Sequence, residues 1–172
     1  MVGRVTASRQ AYAAVAEEFA AITAEADRLR VQFRELVDRD AAAYEGVMAA
    51  YKLPKGTEDE KRRRHEAIDR ALLDAAAVPL ETARAAATLL PLARRAAEAG
   101  NKNAVCDAGV AALLAEGALR GAVYNVEINV NSLASRAAGA ALSTEARALD
   151  RNGAREAGAA AHAVAAGLRP AP

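Results

Sequence analysis

The sequence predicts an all-α protein, an antiparallel helical bundle of long helices that is expected to be dimeric. Three observations carry this expectation. Apolar residues make up 53% of the 172-residue chain, but most of them are alanine and aromatics are only 3%, a balance that suits closely packed helices and not sheet. Apolar positions recur at intervals of three and four over long stretches. Glycine and proline are sparse inside those stretches, so little interrupts them. Helices rich in alanine bury little apolar surface per subunit, which is the reason to expect a homodimer.

The length fits one domain over residues 1–168, with 169–172 as a frayed tail ending in Pro170 and Pro172. A net charge of +1, with both signs interspersed, argues against a nucleic-acid partner, which would call for a basic face. A single cysteine, Cys106, rules out an internal disulfide and suits a reducing compartment. No charged leader with an apolar segment opens the sequence, and no apolar run approaches the length of a membrane span. These features give the expectation of a soluble cytoplasmic protein that does not associate with membrane.

The first long helix is expected from Ser8 to Tyr51, on a seam of Tyr12, Val15, Phe19, Ile22, Ala26, Leu29, Phe33, Leu36, Tyr44, Val47 and Tyr51. One seam position is a carboxylate, Asp40. Asp38, two residues earlier, points to the opposite side with Asp27 and Arg34. An aspartate in an apolar seam should resist ionisation and is a candidate acid–base group. It could equally be a core acid paired to a lysine or arginine across the bundle. Pro54 ends the helix near Lys52, and the following loop carries Lys55.

Thr57 and Glu60 have capping-box spacing and start the next helix, whose first turns are basic from Lys61 to His65. Those cations form a solvated surface or invite an anionic partner. An apolar stripe of Ile68, Leu72, Ala75, Leu80, Ala83, Ala87 and Leu90 runs to about Glu98, and Pro79 and Pro91 should kink or break it. Gly100 closes this helix, and Asn101 or Asn103 can cap the next.

The central helix is expected from Gly100 through Ser132 to about Gly139. Glu116, Arg120, Glu127 and Asn131 share what should be its water face. Asp107, Asn125 and Asn129 fall opposite, among Leu114, Ala118 and Gly121. Inward carboxylates and amides must be hydrogen-bonded, so these either bridge neighbouring helices or line a ligand site. A last helix should start near Ser143 or Thr144, break around Asn152 and Gly153, and bury little in its alanine-rich end. His162 has no partner at metal-ligand spacing. No glycine-rich phosphate loop, metal-ligand cluster or Ser/His/Asp arrangement is evident.

Several ordered blocks then carry a resemblance: LVDRDAAAYEG around Asp40, LPK at Leu53–Lys55, VPL at Val78–Leu80, GNKN at Gly100–Asn103 with Asp107, and NVEIN at Asn125–Asn129. Together they resemble the cyclodeaminase domain of formimidoyltransferase-cyclodeaminase, a family that includes stand-alone methenyltetrahydrofolate cyclohydrolases. The likeness covers roughly residues 1–140. It implies a dimeric helical enzyme binding a tetrahydrofolate derivative, with no cofactor beyond that substrate and no metal. The family's reactions are closure of 5-formiminotetrahydrofolate to the 5,10-methenyl species with loss of ammonia, and interconversion of that species with 10-formyltetrahydrofolate.

The resemblance and the seam both select Asp40 as the catalytic group. The resemblance further implies substrate-binding roles for Lys55 and Lys52, for Asn101 and Asn103, and for Asp107, Asn125 and Asn129. Asp107 and Asn125 are about 27 Å apart along one helix, so both can meet one pterin only if a second subunit brings opposite ends together. Family members carry a GGGS-like turn and a first helix before the position of Met1, and that turn belongs to their substrate site. The alternative reading is therefore a non-catalytic folate-binding dimer, or a structural one.

Overall fold

The structure, a computed structural model, describes residues 1–169; Pro170 to Pro172 of the expected tail lie outside the described residues. Five α-helices follow in order: α1 (Val2–Ala7), α2 (Ala16–Tyr51), α3 (Glu58–Ala99), α4 (Val105–Asn131) and α5 (Ala140–Gly167). Short 3₁₀ turns at Gln10–Val15, Lys102–Ala104 and Arg136–Gly139 lead into α2, α4 and α5. Among the described residues there is no strand. The bundle is all-α and antiparallel, as expected.

The first helix begins later than its seam suggested. Tyr12 has non-helical φ/ψ and sits in the 3₁₀ turn. Its hydroxyl accepts from the backbone N–H of Lys102 at 3.1 Å, a tertiary contact that competes with continuing the helix. Thr6 makes a second tie. Its buried hydroxyl donates to the Val2 carbonyl at 2.8 Å and accepts from the Asn101 N–H at 2.9 Å. The N-terminal turns are thereby pinned to the α3–α4 link.

The next helix starts where the sequence placed it. Thr57 accepts from the Glu60 N–H while the Glu60 carboxylate accepts from the Thr57 N–H, a complete capping box. The basic residues that follow are held by the acids of the first turn: Lys61 pairs with Glu58, and Arg62 and Arg63 pair with Asp59. Contrary to expectation, α3 then continues as one 42-residue helix through both Pro79 and Pro91. A proline removes one donor and crowds one carbonyl, and dense packing on several sides holds this helix together.

That packing is the centre of the fold. Helix α3 packs against α2, α4 and α5, and α4 also packs on α5, whereas α2 has no substantial contact with α4 or α5. Ala76, Ala83 and Ala86 of α3 are fully buried with Leu80 and Leu90, and Leu119, Val126 and Ala146 meet them from α4 and α5. Alanine at the contact face brings the helix axes close; the leucines fill what remains.

Helix α4 ends at Asn131 and α5 begins at Ala140, both several residues from the expected limits; α5 is unbroken at Asn152–Gly153. Gly153 is buried, and a Cβ there would run into Leu119 Cδ2 and lie 3.2 Å from Leu90 Cδ1. The glycine marks a close helix crossing instead of a break. The alanine-rich end also buries more than expected, with Ala160 fully enclosed beside Ala93 and Ala112.

Arginine–carboxylate pairs fasten the rim of each packed interface. Arg39 donates twice to Glu81 (2.6 and 2.7 Å) and Arg95 twice to Glu18 (2.6 and 2.8 Å), linking α2 to α3. Arg84 grips Glu145 (2.6 and 2.7 Å), linking α3 to α5, and Arg147 grips Glu127 (both 2.9 Å), linking α5 to α4. Glu127 therefore faces α5, not water. The hydrogen bond from each arginine holds its partner glutamate below the ordinary value of 4.5. These pairs are largely solvated, so each adds little alone.

Two predictions follow from this packing. Gly153→Ala should destabilise by about 1–3 kcal/mol despite alanine's better helix propensity, because Leu119 is fully buried and has little room to move. Gly158→Ala, whose Cβ would meet nothing within 4 Å, should instead stabilise by about 0.5–1 kcal/mol. Urea unfolding of the two variants decides the point, and equal effects would refute the crossing. The lowered glutamates give a pH dependence: their contribution is complete above the unfolded value of 4.5 and is lost as pH falls through the lower folded values. Thermal unfolding should hold level down to about pH 5 and decline below it; a Tm that stays constant to about pH 3 would contradict this.

Candidate active site

Because α2 rests on α3 without reaching α4, the two flanking helices leave a groove with α3 as its floor. The groove has a volume of about 390 Å³ and is lined by Phe33, Leu36, Val37 and Asp40 of α2, Pro79 and Thr82 of α3, and Ala118, Gly121, Ala122 and Asn125 of α4. Asp40 follows Leu36 by one helical turn, and the seam phase carries its carboxylate into this space. Asp38 lines a neighbouring depression with Val31, Arg34, Glu35 and Val37, and only Val37 is shared with the groove that holds Asp40. Helical phase thus separates the two aspartates as the sequence reading anticipated.

The burial expected of Asp40 is not observed: the residue is exposed. The seam leads to an open groove at this turn because α4 stands away from α2, and the expected core ion pair is not made within one chain. Lys52 does not supply a neighbouring charge either. It follows Asp40 by twelve residues on the same helix, about 18 Å along the axis. Lys55 lies beyond it in the exposed link to α3.

Of the α4 face expected to point inward, Asn129 does turn to α3, where it bonds the Ala75 carbonyl, but most of the rest points outward. Ala108, Ala112, Ala115, Leu119, Ala122 and Val126 are the buried side, whereas Asp107 and Asn125 are exposed and Leu114 is 69% exposed. On a helix with so many small apolar residues, the charged residues were a poor guide to the water side. Arg120 reaches Glu116 and Asp150, and Glu127 takes Arg147, so this charged strip runs along the α5 contact.

Asn125 is brought to the groove opposite Asp40. Its amide donates to the Gly121 carbonyl at 3.0 Å, lying along its own helix. Asn129, one turn on, is half-buried and donates to the carbonyls of Ala75 (3.0 Å) and Asn125 (2.9 Å). At the far end of the bundle, Asn101 is 4% exposed and its carboxamide oxygen accepts from the Asn103 N–H at 3.1 Å, so it caps the turn into α4. Asn103 and Asp107 are exposed beside it. These three do not join Asp40 within one chain.

The groove residues that the sequence did not mark as site residues include Phe33, read as a seam position, and Thr82. Pro79, part of the floor, was read as a helix disruptor and as a member of the VPL block. Thr82, whose hydroxyl donates to the Val78 carbonyl at 3.4 Å, had no signal beyond its spacing one turn after a proline. His65 and His162 are exposed, and among the described residues no group of His, Cys, Asp or Glu could hold a metal ion. No helix among them is long and apolar enough to cross a membrane.

The arrangement places one carboxylate and one amide across an apolar cleft floored by a proline, which suits proton transfer on a flat, polar-edged ligand. Comparison with known proteins gives that cleft a context. Residues 1–148 match the family model described as formiminotransferase-cyclodeaminase. A methenyltetrahydrofolate cyclohydrolase of Methylorubrum extorquens is 37% identical over 137 residues, which is 80% of this chain and 66% of that protein. The formimidoyltransferase-cyclodeaminase of Rattus norvegicus is 34% identical over 133 residues, 77% of this chain and 25% of that protein. The chain thus spans just under two thirds of the first relative and a quarter of the second. The crystal structure of a formiminotetrahydrofolate cyclodeaminase from Thermotoga maritima superposes with a TM-score of 0.84 at 25% identity, covering 96% of this chain and 79% of that one. On the extent of the family match and the identity to these relatives, this chain belongs to the formiminotransferase-cyclodeaminase family.

Proposed function

We propose that the chain is a folate one-carbon enzyme, a formiminotetrahydrofolate cyclodeaminase or a methenyltetrahydrofolate cyclohydrolase, with Asp40 as its general acid–base. The observation that carries the reading is the presence of the Asp40 carboxylate in the apolar groove with Asn125, in a chain whose relatives are named for those two activities. In the cyclodeaminase direction N10 attacks the formimino carbon on N5 to form a tetrahedral centre. The N10 proton must leave, and the departing nitrogen must gain one to go as ammonia. A carboxylate within reach of both nitrogens takes the first proton and delivers it to the second. In the cyclohydrolase direction the same group removes a proton from the attacking water and returns one to N5 as the C–N5 bond breaks, leaving the formyl group on N10.

Phe33, Val37 and Pro79 give the folate rings an apolar surface, and Asn125 offers an amide to a polar ring edge. Lys52 and Lys55 suit the anionic glutamate end of an extended folate. A reduced folate substrate and the exposed thiol of Cys106 both suit a reducing compartment such as the cytoplasm.

The active form is a homodimer in this reading, with a second copy on the outward face of α4. Val110, Leu114, Tyr124 and Ile128 are each more than half exposed there. Val110 and Ile128, Leu114 and Tyr124, and Gly117 and Gly121 are equally spaced in sequence on either side of Leu119. A two-fold antiparallel crossing at Gly117–Gly121 would set each member of a pair against its counterpart in the second copy. It would also carry Asp107 of one copy toward the Asn125 end of the other.

Asp40→Asn should lower kcat by about 10²- to 10⁴-fold with a much smaller change in KM, and Asp38→Asn should stay within about threefold of the parent. Methenyltetrahydrofolate absorbance follows both; a dead Asp38→Asn with an active Asp40→Asn would refute the assignment. Gly117→Glu tests the dimer, because its Cβ would meet nothing within 4 Å in the single chain. Sedimentation should give a folded monomer for this variant and a dimer for the parent. A parent that is monomeric at micromolar concentration would overturn the dimer.

A further inference from the structure

Pro79 lacks an N–H, so the carbonyl of Ala75 four residues earlier loses its helical donor. Ala75 is 7% exposed, and an unpartnered carbonyl there would be costly. The missing donor comes from another helix: Asn129 Nδ2 of α4 donates to the Ala75 oxygen at 3.0 Å and also to the Asn125 carbonyl at 2.9 Å. Because both acceptors are carbonyl oxygens, the orientation of this amide is fixed. The proline ring forms part of the groove floor, and Asn125 forms part of its wall. Pro91, in the same helix, frees the Ala87 carbonyl in the same way, but no side chain from another helix bonds to it among the described residues.

We propose that Pro79 and Asn129 are a matched positioning pair, in which the proline opens one backbone acceptor in α3 and the asparagine closes it from α4, fixing Asn125 opposite Asp40. Asn129 then acts through the groove's geometry and does not bind substrate. The activity part of this proposal rests on the reading of the groove as a folate site; the coupling between the two residues does not.

A double-mutant cycle separates the two. Asn129→Asp preserves shape but removes the donor and sets a carboxylate against two carbonyl oxygens, so Tm should fall by about 3–8 °C. In the Pro79→Ala background the new N–H can bond to Ala75, and most of the loss from Asn129→Ala should disappear. In the Pro91→Ala background it should persist in full. Equal losses from Asn129→Ala in all backgrounds overturn the pair, as does an Asn129→Asp that fails to fold in the Pro79→Ala background as well. For turnover of methenyltetrahydrofolate, Asn129→Asp should lower kcat at least tenfold while KM changes less than about threefold. Asn129→Ala should affect kcat far less when added to Pro79→Ala than when added to the native chain. Coupling in stability with unchanged kcat reduces the pair to a structural contact and overturns the positioning role. If the native chain turns over no reduced folate, the functional reading of the groove fails, and amide hydrogen exchange decides the pair. Faster exchange confined to Gly121–Asn129 in Asn129→Asp supports it, and unchanged exchange there overturns it.

Discussion

The close contact of small residues along α3 is the constraint from which the remaining architecture follows. Ala76, Ala83 and Ala86 bring neighbouring helices in to short axial distances, and Leu80 and Leu90 meet Leu119 and Val126 in the space left over. Since α3 serves three neighbours, α2 and α4 are attached to it on different sides with no substantial contact between them. The cleft between them is therefore a consequence of one helix being shared. A larger side chain at the shared face would push the flanking helices outward and change the width of the groove directly.

Charge plays the secondary role of fixing register. The bidentate pairs Arg39–Glu81, Arg84–Glu145 and Arg147–Glu127 lie at the rims of three different helix contacts, where exposed ion pairs add little energy but favour one axial alignment over others. In this setting the groove contains no such compensating arginine beside Asp40. Glu17, Glu35, Asp38 and Glu45 of α2 also lack an ion pair among the described residues, so what sets Asp40 apart is its place in the groove wall with Asn125.

Much of this was legible in the sequence. The helical class, the capping box at Thr57 and Glu60, and the opposite orientations of Asp38 and Asp40 all follow from local rules that tertiary structure did not override. Burial was harder to read. Asp40 lies in the seam, but the seam opens at that turn, and no local pattern records where a third helix stands away. On α4 the polar residues misled, because Glu116, Arg120 and Glu127 serve the α5 contact while the apolar Leu114 and Tyr124 face outward. Periodicity gives an angle around the helix axis, and only packing says what lies in that direction. Pro79 carries the same lesson: by itself it signals a break, but α3 continues through it and through Pro91 alike. Asn101 is the converse case, a residue expected near substrate that serves as a buried cap at the opposite end from Asp40.

The central claim is spatial: a reduced folate lies in the cleft between α2 and α4 with its N5–N10 edge at Asp40. A crystal structure of the protein with 5-formyltetrahydrofolate tests it most directly. The account predicts the pterin ring against Phe33 and Pro79, with the one-carbon substituent within hydrogen-bond reach of the Asp40 carboxylate. A ligand ordered instead beside Asp38, or between α4 and α5 with Asp40 facing only water, would contradict it.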